Sequence, residues 1–190
     1  MAIYMMREEP TYTFSYDFTT WSIADLQSKW WSTGSWNSIS SSGYMNTSRN
    51  WSVLSLTSSD LWTATQSCTT ATLVLTWSAS GQHQRLVNLN KNWTQSLSLY
   101  WDGVSTTYWN QATFGGEYLI LEDGYWNNWT YTTTFTVDLS NKTWEYVSTS
   151  HSTLTWTVTD AEITAFRGSN TINVYWESSA YIKSFSVIID

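Results

Sequence analysis

Thr130 to Leu139 reads TYTTTFTVDL. Tyr131, Thr133, Phe135, Val137 and Leu139 alternate with Thr132, Thr134 and Thr136. Successive side chains of an extended chain lie on opposite faces. The stretch therefore predicts a strand with one face for a core and one hydroxyl face for water. The same period recurs on both sides. Leu73, Leu75 and Trp77 follow it, as do Leu97, Leu99 and Trp101, then Leu154, Trp156 and Val158, then Ile172, Val174 and Trp176. Tyr181 to Ile189 aligns Tyr181, Phe185, Val187 and Ile189, with Lys183 as an intruder. Thr, Val, Ile, Tyr and Trp fill a pleated surface well.

Turn chemistry separates these runs: Ser80-Gly81, Asp102-Gly103, Gly115-Gly116, Asp123-Gly124, Ser140-Asn141-Lys142 and Arg167-Gly168-Ser169-Asn170. Asp-Gly suits the positive-φ positions of tight turns. Many short strands with turns between them predict an all-β antiparallel β-sandwich. One stretch reads as helix: Ser22 to Lys29, SIADLQSK, where Ser22 can cap and Asp25 sits favourably near the helix start. The expectation is thus one short helix near residues 22–29. No Pro- or Gly-rich linker and no fixed-period repeat interrupts the chain, so residues 11–190 are expected to form a single domain after an N-terminal arm, residues 1–10.

Composition narrows the functional classes. Of 190 residues, 29 are Ser and 30 are Thr, while 15 are Trp and 12 Tyr. Charged residues make up only 12%, about half the usual share. Aromatics at 17% argue against disorder, and no apolar run reaches the ~20 residues of a membrane helix. A net charge of −7 argues against nucleic acid, which requires a basic face. The single cysteine, Cys68, leaves neither an internal disulfide nor a thiolate metal cluster. The five Asn-x-Ser/Thr sites are about what twelve asparagines in so hydroxyl-rich a chain produce by composition.

The order of elements resembles the concanavalin A-like jelly rolls, laminin-G-like domains included. Tyr12 to Phe18 (YTFSYDF) before a short helix and Trp30-Trp31 resembles their opening. Leu97 to Val104 (LSLYWDGV) resembles a strand and turn they often carry, Phe135 to Val147 their central hairpin, and Ala180 to Ile189 the closing strand that returns beside the first. The resemblance implies a jelly-roll sandwich over most of residues 11–190. It does not assign a function, because the group spans lectins, adhesion modules, glucanases and viral surface proteins. Its glucanases carry Glu-x-Asp-x-Glu on one strand, a spacing absent here. The nearest approach is Glu117 with Glu122-Asp123, and five residues apart places Glu117 and Glu122 on opposite faces of a regular strand. Many domains of the group bind calcium, and Asp102 or Asp123 could serve as an oxygen ligand, although Asp-Gly is also ordinary turn chemistry. No cofactor is expected.

Catalytic signatures are absent. His83 and His151 are the only histidines, and no Gly-x-Ser-x-Gly elbow accompanies them. The aromatics are more informative. Gly124-Tyr125-Trp126-Asn127-Asn128-Trp129 and Tyr108-Trp109-Asn110-Gln111 mix rings with amides where turns are expected. Rings stack on the apolar face of a sugar while amides take its hydroxyls; rings also anchor protein interfaces and seal the ends of a sandwich. Tyr108, Trp109, Tyr125, Trp126, Asn128 and Trp129 are therefore the candidate ligand or partner residues.

Met1 to Glu9, MAIYMMREE, has neither the basic start nor the apolar length of a secretion signal. Extracellular composition without that signal suits a removed signal, another export route or, as the favoured reading, a virion component released by lysis. Ile3, Tyr4, Met5, Met6 and Arg7 read either as an arm that docks on a neighbouring subunit or as an edge strand with a solvated turn. The expectation is a non-enzymatic structural or adhesion protein of a phage virion, with copies of itself or other virion proteins as partners. A lectin-like carbohydrate-binding module is the alternative, and a glycan-cleaving enzyme ranks third.

Overall fold

In the computed structural model the described residues are 12–18, 20, 22–28, 37–39, 45–47, 52–79, 84–91, 94–104, 107–114, 117–123, 131–149, 151–176 and 180–190. For most of 84–123 that description covers backbone only. In chain order run β1 (Tyr12–Asp17), α1 (Ile23–Ser28), β2 (Asn37–Ile39), β3 (Met45–Thr47), β4 (Ser52–Thr57), α2 (Ser59–Ser67), β5 (Thr70–Ala79), β6 (Gln84–Lys91), β7 (Thr94–Val104), β8 (Thr107–Phe114), β9 (Glu117–Asp123), β10 (Tyr131–Asp138), β11 (Thr143–Ser148), β12 (His151–Thr157), α3 (Asp160–Phe166), β13 (Thr171–Trp176) and β14 (Ala180–Ile189). Sheet A has the order β1-β14-β5-β10-β11-β12 and sheet B the order β4-β13-β6-β7-β8-β9, while β2 and β3 pair with each other. The chain changes sheets between β4 and β5, β5 and β6, β9 and β10, β12 and β13, and β13 and β14, which laces the two layers together. This is the antiparallel sandwich that the alternation predicts.

The decisive strand β10 behaves as its period requires. Thr133, Phe135 and Val137 are buried, and Thr132, Thr134 and Thr136 are exposed or half-buried. β5 sets Leu75, Leu73 and Ala71 opposite those three residues. β11 sets Tyr146 against Phe135 and Trp144 against Val137. Leu56, Leu89, Ile172 and Val174 of sheet B join the same apolar core. Burial of this kind stabilises by roughly 25 cal/mol per Å² of apolar surface. Thr133 is a hydroxyl on the core side, and its oxygen accepts from the indole N–H of buried Trp77 at 3.1 Å. Each thus satisfies a polar group that would be costly to bury alone. Trp144 meets Phe135 edge-on at 4.9 Å and stacks on Trp156 at 4.5 Å, so Trp156 packs on the core while remaining half-buried. Trp101 and Trp176, also expected in the core, have side chains outside the described set.

Hydroxyls on the outer face of sheet A pair across strands, Thr72 with Thr136 at 3.2 Å and Thr76 with Thr132 at 3.4 Å. Such pairs each contribute a fraction of a kcal/mol, roughly 0.2–1.

The helix expected near residues 22–29 is α1. Ser22 Oγ accepts from the Asp25 backbone N–H, and the Asp25 carboxylate accepts from the Ser22 N–H and hydroxyl, both at 2.7 Å. This reciprocal cap is the capping-box arrangement with Asp in place of Glu. Two further helices were not expected. Ser58 caps α2 by accepting from the N–H groups of Asp60 and Leu61, and Leu61, Ala64 and Thr65 face inward. Thr159 and Glu162 form a full capping box for α3. The two helices meet at their C-termini. There the Arg167 guanidinium donates to the Thr65 and Cys68 carbonyls at 3.2 and 2.8 Å, and Thr65 Oγ1 donates to the Ser169 carbonyl at 2.9 Å. Gly168, φ 82°, follows α3 in the left-handed region that favours glycine.

Two turn and register expectations need correction. The β14–β5 ladder skips Lys183, which sets Ile182 opposite Trp77 and Phe185 opposite Leu75. Ile182, not Tyr181, therefore shares the core face, and the extra residue of a β-bulge takes Lys183 out of register. Asp102-Gly103 is not the turn after β7. Asp102 pairs with Trp109, Gly103 with Tyr108 and Val104 with Thr107, so both residues lie inside the β7–β8 ladder. By contrast, Ser140-Asn141-Lys142 does turn the chain. The Asp138 carboxylate accepts from the N–H groups of Ser140 and Asn141, and Lys142 adopts φ 55°. Those bonds hold the Asp138 carboxyl below its ordinary pKa.

Candidate functional site

Sheet B decides where the polar and aromatic candidates fall. Leu56, Leu89, Ile172 and Val174 are buried, which marks one face as the core face. Asn173, between Ile172 and Val174, lies on the other face and is itself buried there, with Ser55 Oγ donating to its Oδ1 at 2.5 Å. Backbone register extends that face across six strands. One row runs Ser55, Asn173, Asn88, Ser98, Thr113, Tyr118. The next runs Arg85, Tyr100, Gln111, Ile120. A third runs Asp102, Trp109, Asp123. Neighbouring strands lie ~4.8 Å apart and same-face residues along a strand ~6.8 Å apart. Tyr100, Trp109, Gln111 and Arg85 thus occupy adjacent stations of a patch about the size of one or two sugar rings.

The register separates the two members of the Tyr108-Trp109 pair. Both belong to β8 rather than to a turn. Trp109 shares the face of Asn173, and Tyr108, opposite Gly103, shares the face of Ile172 and Val174. Tyr125, Trp126, Asn128 and Trp129 lie outside the described residues, as do Ile3, Tyr4, Met5, Met6 and Arg7. The segment 124–130 does follow directly from Asp123, the partner of Trp109. Sequence reasoning missed Tyr100, Asn88 and Arg85, and it quoted Gln111 beside Trp109 without making it a candidate. A usable signal was present: Leu97, Leu99 and Trp101 fix one face of β7, which leaves Tyr100 on the other.

The acidic candidates take a different arrangement from the one expected. The β8–β9 ladder passes from Gln111 opposite Ile120 to Asn110 opposite Glu122, so Leu121 is an extra residue. The bulge puts Glu117 and Glu122 on one face, the core face, rather than on opposite faces. They sit four ladder steps apart, about 13 Å along the strand, beyond the roughly 5–9.5 Å between paired glycosidase carboxyls. Asp102 and Asp123 flank Trp109 at two strand spacings, about 10 Å, which disfavours a single calcium ion with ~2.4 Å bonds to both. Among the described residues no group of three or more His, Cys, Asp or Glu side chains assembles.

Two buried groups with chemical potential have structural partners. Glu162 accepts from the Thr159 N–H and hydroxyl, both at 2.6 Å. Cys68 is buried, and that burial pushes its thiol above the ordinary value even though Arg167 stands 3.3 Å from the sulfur and works the other way. A thiol kept protonated is a poor nucleophile. His151 opens β12 opposite Ser148, and His83 lies outside the described residues. No helix among the described residues is long and apolar enough to cross a membrane.

No protein-family profile matches the sequence, and no curated protein matches it. Solved structures do. Peanut lectin aligns over 96% of this chain and 98% of its own, with a TM-score of 0.55 and 10% identity. A carbohydrate-binding module (CBM2) of the evolved Dit protein of Lactobacillus casei BL23 phage J-1 aligns over 83% of this chain and 80% of its own, with a TM-score of 0.56 and 12% identity. A botulinum neurotoxin type C chain, whose passage into cells depends on interaction with two ganglioside molecules, has a TM-score of 0.59 and 10% identity over 83% of this chain. This chain spans 42% of that toxin chain. The fold is the concanavalin A-like jelly roll, shared with lectins and carbohydrate-binding modules.

Proposed function

We propose that this protein is a non-enzymatic, lectin-like adhesion module that binds glycan on the outer face of sheet B. The observation that carries the reading is the register: Tyr100, Trp109, Gln111, Asn88 and Arg85 share one face, opposite the core. A pyranose lays its apolar face on a ring such as that of Trp109, and amides and a guanidinium bind its hydroxyls or a carboxylate. Tyr125, Trp126, Asn128 and Trp129 follow Asp123 in sequence and remain candidates in this reading, while Tyr108 falls on the core face by register. The likeness to a lectin and to a phage carbohydrate-binding module supports the same class of ligand.

The setting we infer is a phage virion surface, with the jelly roll decorating a fibre or baseplate and residues 1–10 holding a neighbouring subunit. The hydroxyl-rich, charge-poor composition and the phage module of matching fold support that setting. Residues 11–190 act as one binding domain in this account.

A glycan array followed by titration of the best hit tests the function. Trp109→Ala and Trp126→Ala should each weaken binding about 30-fold, the scale of an aromatic hot spot worth ~2 kcal/mol. No hit on the array, or wild-type affinity in both variants, overturns the reading. Release of reducing sugar on prolonged incubation overturns its non-enzymatic part.

A further inference from the structure

One row of the sheet B platform reads acid, indole, acid. Register sets Asp102 of β7 and Asp123 of β9 on either side of Trp109 of β8, all on one face. Each acid is one strand spacing from the indole-bearing residue, ~4.8 Å. Turn chemistry does not account for Asp102, which forms the third pair from the end of the β7–β8 ladder. Aspartate is depleted inside strands, where its side chain competes for backbone hydrogen bonds.

The surrounding sequence does not neutralise these acids. Residues 92–141 contain no Lys, Arg or His, yet carry Asp102, Glu117, Glu122, Asp123 and Asp138. Strands β7, β8 and β9 therefore hold acid without base. Among the described residues the one cation that register places on this face is Arg85, opposite Tyr100. Arg85 is a diagonal neighbour of Asp102, about 7–8 Å away, and offsets that charge. Asp123 lies three strands from Arg85, about 14 Å, beyond the ~8 Å screening length at physiological salt.

An alkylammonium is attracted to the face of an indole and donates to carboxylates at the same time. A sugar hydroxyl has only the second interaction, and an N-acetylated amine has lost the charge that strengthens both. We propose that the Asp102–Trp109–Asp123 row selects a glycan bearing free amines, a hexosamine without its acetyl group, over the acetylated sugar of the same ring shape. The net charge of −7 on the chain draws such a ligand in. The inference rests on the glycan-binding reading of this face and adds the class of sugar.

Titration of the full chain with oligosaccharides of glucosamine and of galactosamine, each beside its fully N-acetylated counterpart, tests it. A free-amine form should bind about tenfold or more tighter than its counterpart. That preference should shrink as salt rises and vanish as pH rises through the amine's own pKa. Asp102→Asn with Asp123→Asn, a change that keeps the side-chain shape, should remove the preference while circular dichroism stays as in the wild type. Glu122→Gln removes an equal charge one residue from Asp123 but on the core face, and should leave the preference intact. Equal or tighter binding of the acetylated forms, a preference that survives in the folded double variant, or one lost as fully in Glu122→Gln overturns the proposal. If these sugars do not bind while another glycan binds and is lost in Trp109→Ala, the amine proposal falls and the glycan-binding reading stands. If no glycan binds at all, both fall.

Discussion

Replacing Thr133 by valine removes one hydroxyl from the core face of β10 and nothing from its shape. The side chain is 2% exposed and its oxygen accepts from the Trp77 indole N–H at 3.1 Å. The variant leaves that N–H buried without this acceptor, so the expected cost is about 1–3 kcal/mol, even though valine is the more apolar residue. Trp77→Phe removes the donor and shrinks a ring that is itself 2% exposed. It leaves a cavity as well as an unmatched hydroxyl, so about 2–4 kcal/mol is expected. In the double variant both polar partners are gone, and only the cavity cost remains. It should be less destabilised than the sum of the singles by about 1 kcal/mol or more. The assay is urea unfolding followed by far-ultraviolet circular dichroism, since the other indoles blur fluorescence. In a chain of this length each kcal/mol moves Tm by roughly 2–4 °C. A Thr133→Val protein as stable as the wild type, or strictly additive variants, would refute the claim that threonine enters the core as a partner for the indole.

Gly168→Ala places a Cβ on a buried residue with φ 82°, so a loss of about 1–2 kcal/mol is expected on the same denaturation curve. Thr159→Ala should cost ~1 kcal/mol, and adding Glu162→Ala should cost less than its separate effect, because the box acts as a unit. The Asp25 and Asp138 carboxyls are held below their ordinary value of 3.8 by the Ser22 and by the Asn141 and Ser140 donors respectively. The unfolded chain then takes up those protons first, so their stabilisation is complete above about pH 4 and fades as pH falls through the lowered folded values. Urea midpoints measured from pH 7 down to pH 2.5 should decline less steeply in an Asp25→Asn, Asp138→Asn double variant, and an unchanged profile would contradict it.

The fold was readable because a sandwich strand states its own orientation. In β10, β12 and β13 the apolar residues recur at every second position, and no partner strand is needed to interpret them. Short helices left weaker traces. α3 was announced by Thr159 three residues before Glu162, and α2 by Ser58 before Leu61 and Ala64, but neither carries an apolar stripe long enough to outweigh the surrounding threonines. Bulges were out of reach. Lys183 and Leu121 are extra residues only relative to the register of β5 and β8, and a single strand holds no record of its partner's count. The platform on sheet B was partly legible for the same reason. Trp109 stood out as a ring beside amides. Gln111, two places on, shares its face, whereas Tyr100, Asn88 and Arg85 come from two other strands, and nothing short of the cross-strand register brings them beside it.

The most direct test is to titrate the best glycan from an array against Tyr100→Ala, Trp109→Ala and Gln111→Ala, with Thr134→Ala on the outer face of sheet A as the comparison. If sugar lies on the face shared by Asn88, Tyr100, Trp109 and Gln111, affinity should fall at all three of those positions while Tm holds, and Thr134→Ala should bind as the wild type does. Full affinity in the three sheet B variants would contradict the account.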